Sequence, residues 1–270
     1  MTSLMDATRR FGGLQRLYGG SVTATLAQAH VLVAGLGGVG SWTAEALART
    51  GVGRLTLIDL DHIAESNINR QVHALTATLG QAKVAAMADR LVAINPAIQL
   101  HLVDDFVTPE NTPELLQSRP DVVLDCTDDL PAKTALVQHA IALGLPLLVC
   151  GGAGGKYDPL SLVLGDLARA QYDALLARLR QRLRRHHGFP KGNAKAGKGQ
   201  RSPKMGVQAL WFAQETRLPE AWLQTEAEPL QGLSCAGYGS AVAITATMGL
   251  VAADYAVQCL LKNALKAAPV

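Results

Sequence analysis

No two cysteines in this chain stand in a CxxC arrangement. The four present, Cys126, Cys150, Cys235 and Cys259, lie far apart. That excludes a zinc clamp made of paired cysteines and a disulfide framework, so no zinc is expected. The histidines His62, His73, His101 and His139 show no metal-ligand spacing and are read as structural. The N-terminal MTSLMDATRRFGG lacks the apolar core of a leader peptide, which points to the cytoplasm. Acids are missing from one long stretch: residues 178–204 carry ten Lys/Arg and no Asp or Glu. The net charge is +3, so the rest of the chain carries −7. A mildly acidic body with one concentrated basic segment implies an anionic partner.

What is abundant is apolar: 49% of the 270 residues are hydrophobic and 17% charged, a soluble globular composition with a sizeable core. Residues 236–261 contain only Asp254 as a charge. That length meets the roughly 20 residues of a membrane span. Ala, Gly, Ser and Thr dominate it, however, so the helix expected over 236–262 belongs in the core or at a subunit interface rather than in a membrane.

From residue 30 onward short apolar runs alternate with helical stretches. HVLVAG, GRLTLIDLD, IQLHLVDD, DVVLDC and PLLVCGG read as strands. GGVGSWTAEALART, QAKVAAMADRLVAIN, the short TPENTPELLQS and PAKTALVQHAIALG read as helices. Strands joined by crossover helices give an α/β fold: a Rossmann-like, mainly parallel sheet with helices on both faces. After Gly155 the rhythm changes. PLSLVLGDL reads as a further strand, AQYDALLARLRQRLRRHH as a helix that becomes basic, and FPKGNAKAGKGQRSPK as an aperiodic loop. The chain therefore divides into a helical arm (1–29), a nucleotide-binding core (30–155) and a C-terminal part (156–270), expected to fold as one integrated unit.

A strand, GLGGVG, a helix, a second strand and an acid form the dinucleotide-binding fingerprint. Gly35 and Gly37 permit a tight turn, Gly40 lets the helix pack on the strand, and the helix N-terminus offers free N–H groups to phosphate. Asp59 ends the second strand, placed for ribose hydroxyls. The next residues, DLDHIAESNINRQVHALTATLGQAK, are not what a nicotinamide site requires. Asp61, Asn67, Asn69, Arg70 and Lys83 supply cations and a carboxylate suited to a triphosphate being cut, which argues against an oxidoreductase.

With LGQAK and DCTDD, these motifs resemble the ubiquitin-activating (ThiF/MoeB-type) adenylation enzymes, over residues 10–155. The resemblance implies ATP as substrate, Gly38 beneath the phosphates and Asp59 on the ribose. It also implies that Asn67, Arg70 and Lys83 contact the triphosphate and that Asp128 supports magnesium and adenylation. The family often has Asn where this chain has Asp129. RLYG resembles an arm whose arginine, here Arg16, reaches a partner's site, implying a homodimer. FGGLQRLYGG, NRQVHAL, VDDFVTPEN, CGGAGGKYDP and SCAGYGSA extend the resemblance, over nearly the whole chain, to a tRNA-modifying branch. That branch cyclises a threonylcarbamoyl adenosine beside the anticodon.

A tRNA needs a docking surface. Arg178, Arg182 and Arg185 follow i, i+4, i+7 and put one basic face on a helix, and Lys191, Lys195 and Lys198 follow in the loop. Two features stay open. GGAGG (151–155) forms either a plain tight turn or a backbone cradle for substrate or a monovalent cation. Cys235, in the turn LSCAGYG, is either structural or a sulfur acceptor for a sulfur-relay protein, although nothing nearby supplies a base. The competing function is activation of a ubiquitin-like sulfur carrier, which the missing CxxC pairs and the basic excursion disfavour. A non-enzymatic relay module rests on Cys235 alone.

Overall fold

The computed structural model describes residues 7–191, 203–219 and 235–267. Two short helices, α1 (Ala7–Tyr18) and α2 (Val22–Gln28), precede the first strand, β1 (His30–Ala34). The order continues α3 (Gly40–Arg49), β2 (Arg54–Ile58), α4 (Lys83–Ile94), β3 (Gln99–Val103), α5 (Thr112–Leu115), β4 (Val122–Asp125), α6 (Leu130–Ala142) and β5 (Leu147–Cys150). It ends with β6 (Leu162–Asp166), α7 (Ala174–His186), β7 (Gln208–Phe212) and the long α8 (Val242–Ala267).

All seven strands form one sheet in the order β3-β2-β1-β4-β5-β7-β6, parallel except where β6 runs against β7. The α/β architecture expected from the apolar rhythm is the one found. Because successive side chains of a strand point to opposite faces, β1 feeds two cores. Val31 and Val33 pack with α2, α3, α4 and α8. Leu32 and Ala34 pack with α5, α6 and α7 on the other side. The chain order reverses between β1 and β4, and in open α/β sheets ligands bind outside the carboxyl ends at such a switch.

The C-terminal part adds strands to this sheet. β7, over QALWF, is a strand that the apolar rhythm alone does not reveal. It is buried on both faces between β5 and β6, so its pattern is a continuous apolar run with no alternation to mark it. Asp166 fixes the return of the basic excursion: its carboxylate accepts from Met205 N and Gly206 N at 2.9 and 2.8 Å.

The apolar helix starts later than expected. Residues Cys235–Tyr238 make a separate helical turn, and Gly239, at φ +76°, breaks the path before α8 begins. By length and composition Val242–Lys262 could cross a membrane, yet half of that stretch is buried in the fold. Ile244, Met248, Ala252 and Ala256 are all within 1% of complete burial. Small residues permit this approach: a Cβ on Gly249 would lie 2.5 Å from the Val39 carbonyl oxygen.

His73 sits in the β2–α4 connection, 1% exposed, with neither ring nitrogen bonded among the described residues. Burial first, then the charges of Lys83 and Arg90, lower its pKa to about 4. The unfolded chain therefore takes up this proton near pH 6.5 while the folded chain does not. Stability from neutral His73 is present above about pH 6.5 and lost as pH falls toward 4, by up to about 3 kcal/mol. Urea unfolding of His73→Leu across that window should give a shallower decline than wild type; equal slopes would refute this assignment.

Candidate active site

At the switch point a cavity of about 650 Å³ opens over the ends of β1, β2, β4 and β5. The glycine loop forms one wall, and packing imposes glycine at Gly35, Gly38 and Gly40, whereas a Cβ on Gly37 would meet open space. A Cβ on Gly40 would lie 1.8 Å from the Gly35 carbonyl oxygen, so this turn closes only with glycine there. Gly40 itself does not line the cavity; it lets α3 start directly against β1, and Gly35, Gly37 and Gly38 do line it. Gly38 is hemmed in as well: a Cβ would meet Thr245 at 2.9 Å and Arg70 Cγ at 3.2 Å. The extra glycine therefore lets α8 and the Arg70 stem close on the loop.

Asp59 organises the opposite wall. Its carboxylate accepts from Leu36 N at 2.6 Å and from Asp61 N at 2.9 Å. Lys83 Nζ lies 2.6 Å from Asp61 Oδ2 and 3.5 Å from Asp59 Oδ1, and is itself only 5% exposed. Burial pushes the Asp59 carboxyl above its ordinary range, opposed by Lys83 and the two backbone donors. Asn67 lines the cavity, with its carboxamide oxygen accepting from Ala64 N at 3.1 Å to close the local turn. Arg70 lines it too, its guanidinium held by the Ser66 carbonyl at 2.7 Å.

The third wall follows β4. Asp128 lines the cavity, is exposed, and has no hydrogen bond or ion pair among the described residues. Asp129 Oδ2 accepts from Ala132 N at 2.8 Å and caps α6. Asn and Asp both perform that role, which explains why either residue is accommodated at this position. The last wall is the GGAGG turn, where Gly151, Gly152 and Ala153 line the cavity. Asp173, which caps α7, also accepts from Gly152 N at 2.8 Å, tying the basic helix to the cavity floor. Lys156 is 5% exposed and donates to the carbonyls of Tyr172 and Gln214 and to Thr216 Oγ1 at 2.7–3.0 Å.

Of the residues singled out in the sequence, Gly35, Gly37, Gly38, Asp59, Asp61, Asn67, Arg70, Lys83 and Asp128 are brought together here. Asn69 borders a neighbouring cavity instead. Arg16 is exposed in the last turn of α1 and is not among the residues lining the cavity of its own chain. On α7, Arg178, Arg182 and Arg185 are all exposed, as the i, i+4, i+7 spacing requires. Arg180 and Arg184 are spent internally, on the carbonyls of Leu167 and Ala170 and of Pro190. Lys191 is exposed; Lys195, Lys198 and the side chain of Cys235 lie outside the described residues.

Sequence reasoning missed several wall residues. Phe106, Val107 and Thr108 follow β3, and Thr245 comes from α8. The signal for the first three was position: VDDFVTPEN begins at the carboxyl end of a sheet strand. Cys126 also lines the cavity, its sulfur 3.9 Å from that of buried Cys150. The neighbouring Cys126 sulfur and burial raise the Cys150 pKa well above its ordinary value, so it stays a thiol.

Beneath the third wall lies a pair that joins the first residue of DCTDD to a lysine no motif announced. Lys133 and Asp125 are both fully buried, Nζ to Oδ1 3.1 Å, and the same oxygen accepts from Thr127 N and Oγ1. This pair fixes the strand end that carries Thr127 and Asp128.

The doubly wound sheet, with Asp59, Arg70, Lys83 and Asp128 gathered in the cavity at its switch point, is the architecture of the nucleotide-binding α/β proteins. The chain belongs to the ThiF family, whose pattern matches residues 12–269. It is 40% identical to the tRNA threonylcarbamoyladenosine dehydratase of Escherichia coli strain K12, over 97% of this chain and 98% of that protein. The dehydratase of the same name from Haemophilus influenzae is 37% identical over 97% of both chains. The solved Escherichia coli tRNA N6-threonylcarbamoyladenosine dehydratase in complex with ATP superposes with a TM-score of 0.85 at 38% identity, covering 99% of this chain and 100% of that one.

Removing one member of a buried ion pair leaves an uncompensated charge. Lys133→Ala should therefore lower stability by about 3–5 kcal/mol, measured by urea unfolding at pH 7. A loss below about 1 kcal/mol would mean that the pair does not support the β4 end.

Proposed function

We propose that this protein uses ATP to cyclise N6-threonylcarbamoyladenosine in tRNA, adenylating the threonyl carboxylate and releasing AMP when the carbamoyl group closes onto it. The observation that carries this reading is the convergence of the glycine loop, Asp59, Lys83, Arg70 and Asp128 on one cavity, in a chain similar from end to end to dehydratases of that name.

The chemistry follows from charge. A carboxylate is a poor electrophile, and transferring AMP to it creates a good leaving group. The carboxylate oxygen attacks the α-phosphorus and the bond to the bridging oxygen breaks, expelling pyrophosphate. Arg70 and Lys83 offset negative charge that builds on the phosphates, where fixed cations are worth most. The remaining lone pairs of Asp59 accept ribose hydroxyls, and Phe106 and Val107 offer apolar surface to the adenine. When the carbamoyl group displaces AMP, the AMP keeps one carboxylate oxygen, so the nucleoside loses one water overall.

Magnesium would be held by Asp128 together with the phosphates of ATP, and would neutralise part of their charge. The residues fit: magnesium takes one or two carboxylates and retains several waters. Asp129 is committed to capping α6, which leaves Asp128 as the free carboxylate. The exposed arginines of α7, with Lys191, Lys195 and Lys198, are the tRNA-docking face. The protein acts in the cytoplasm as a homodimer, in which Arg16 of each arm completes its partner's site. Activation of a sulfur carrier is the less supported reading, because relatives with that activity match less than half of this chain and no CxxC pair is present, and a sulfur-relay role rests on Cys235 alone.

With ATP, magnesium and tRNA bearing the modification, nucleoside mass spectrometry should find a product lighter by one water. Lys83→Ala and Asp128→Ala should abolish AMP release with the fold retained; turnover in either sinks its assigned role.

Replacing Arg178, Arg182 and Arg185 with Ala should weaken tRNA binding and flatten its salt dependence by roughly one counterion for each phosphate no longer neutralised. An unchanged tRNA affinity would remove α7 from the docking face. If Arg16 acts in trans, mixing inactive Arg16→Ala and Lys83→Ala chains should restore about a quarter of wild-type activity, because half the dimers are mixed and each holds one complete site. No recovery would place Arg16 elsewhere.

A further inference from the structure

A second cavity of about 510 Å³ shares Arg70 with the nucleotide cavity. Glu65, Ser66, Ile68 and Asn69, from the connection after β2, form one side, and Gly239 and Ser240, ahead of α8, form the other. Asn69 joins the two sides. Its oxygen accepts from the Arg70 guanidinium at 3.1 Å while its amide donates to the Ser240 carbonyl at 2.8 Å. The Arg70 backbone carbonyl accepts from Trp42 Nε1 at 3.0 Å, so the residue is anchored at main chain and side chain alike.

The charges of this cavity select a ligand. Arg70 is its one cation and Glu65 its one anion among the described residues, and Ile68 adds an apolar surface that is 43% exposed. A carboxylate suits the guanidinium. N–H donors suit Glu65, and an aliphatic or flat group suits Ile68. A urea-linked amino acid on a base carries all three.

We propose that this second cavity is the acceptor subsite, seating the carboxylate-bearing urea of the modified nucleotide while ATP occupies the first. Arg70 stands between the two and delivers the acceptor carboxylate to the α-phosphate beside Gly38. Glu65 accepts from the urea N–H groups. Asn69 is a positioning residue that acts by holding the guanidinium. The inference rests on the tRNA-cyclase reading and adds to it where the acceptor enters.

Ser66→Trp would fill this cavity while keeping the backbone carbonyl that holds Arg70. The test compares wild type, Ser66→Trp and Glu65→Gln for ATP affinity by calorimetry and for KM with modified tRNA. The expected result is a KM raised about tenfold or more in Ser66→Trp, a smaller rise in Glu65→Gln, and ATP affinity kept in both. Retained ATP binding also confirms that the variants are folded. An active wild type with an unchanged KM in Ser66→Trp would overturn the subsite alone, as would a parallel loss of ATP affinity. A wild type that leaves modified tRNA untouched would overturn the cyclase reading, and the subsite with it.

Discussion

The Asp59 carboxylate is bonded to the glycine loop through Leu36 N and to its own strand's continuation through Asp61 N, and it faces the Lys83 ammonium. Through this one side chain the ends of β1 and β2 and the start of α4 are held in a fixed relation. Burial works against the charge: the carboxyl is pushed above its ordinary range even with a lysine nearby. The acid is kept where desolvation disfavours one, and the same group orders the loop through two backbone donors. Lys83 is constrained in turn, shared between Asp59 and Asp61. An arriving triphosphate would compete for that ammonium, which ties cation placement directly to nucleotide binding.

The other half of the site depends on a different buried charge pair. Lys133–Asp125 lies under the end of β4, and Asp125 turns the chain by accepting from Thr127. Asp128 projects from that turn, uncommitted among the described residues, and Asp129 caps α6. A preorganised end with one uncommitted carboxylate is what a phosphate-borne cation requires. Asp173 extends the arrangement outward, because one carboxylate caps α7 and also holds Gly152 at the cavity. α7 and the floor of the cavity therefore share one carboxylate.

Much of this was legible in the sequence, for reasons that can be stated. β1, β2, β4 and β5 are short apolar runs ended by glycine or acid, and the helices between them keep helical spacing, so the sheet and its switch point follow from pattern alone. The nine cavity residues found together sit in contiguous motifs at strand ends, where local sequence and tertiary position coincide. The remainder depends on distance through space. β7 carries no alternation because both its faces are covered. Thr245 reaches the glycine loop from a helix some 200 residues later in the chain, and the position of Asn69 between Ser240 and Arg70, at a neighbouring cavity, is set by contacts that its motif does not reveal. The Lys133–Asp125 pair is invisible because a lysine in PAKTALVQ reads as the solvent face of a helix.

The central claim is that ATP is cut at its α-phosphate by a carboxylate of the tRNA. The direct measurement uses modified tRNA whose threonyl carboxylate carries oxygen-18, reacted with unlabelled ATP and magnesium in unlabelled water. The account predicts that the released AMP acquires one labelled oxygen as the cyclic nucleoside forms. Label appearing in inorganic phosphate alongside ADP, or AMP released without label, would contradict it.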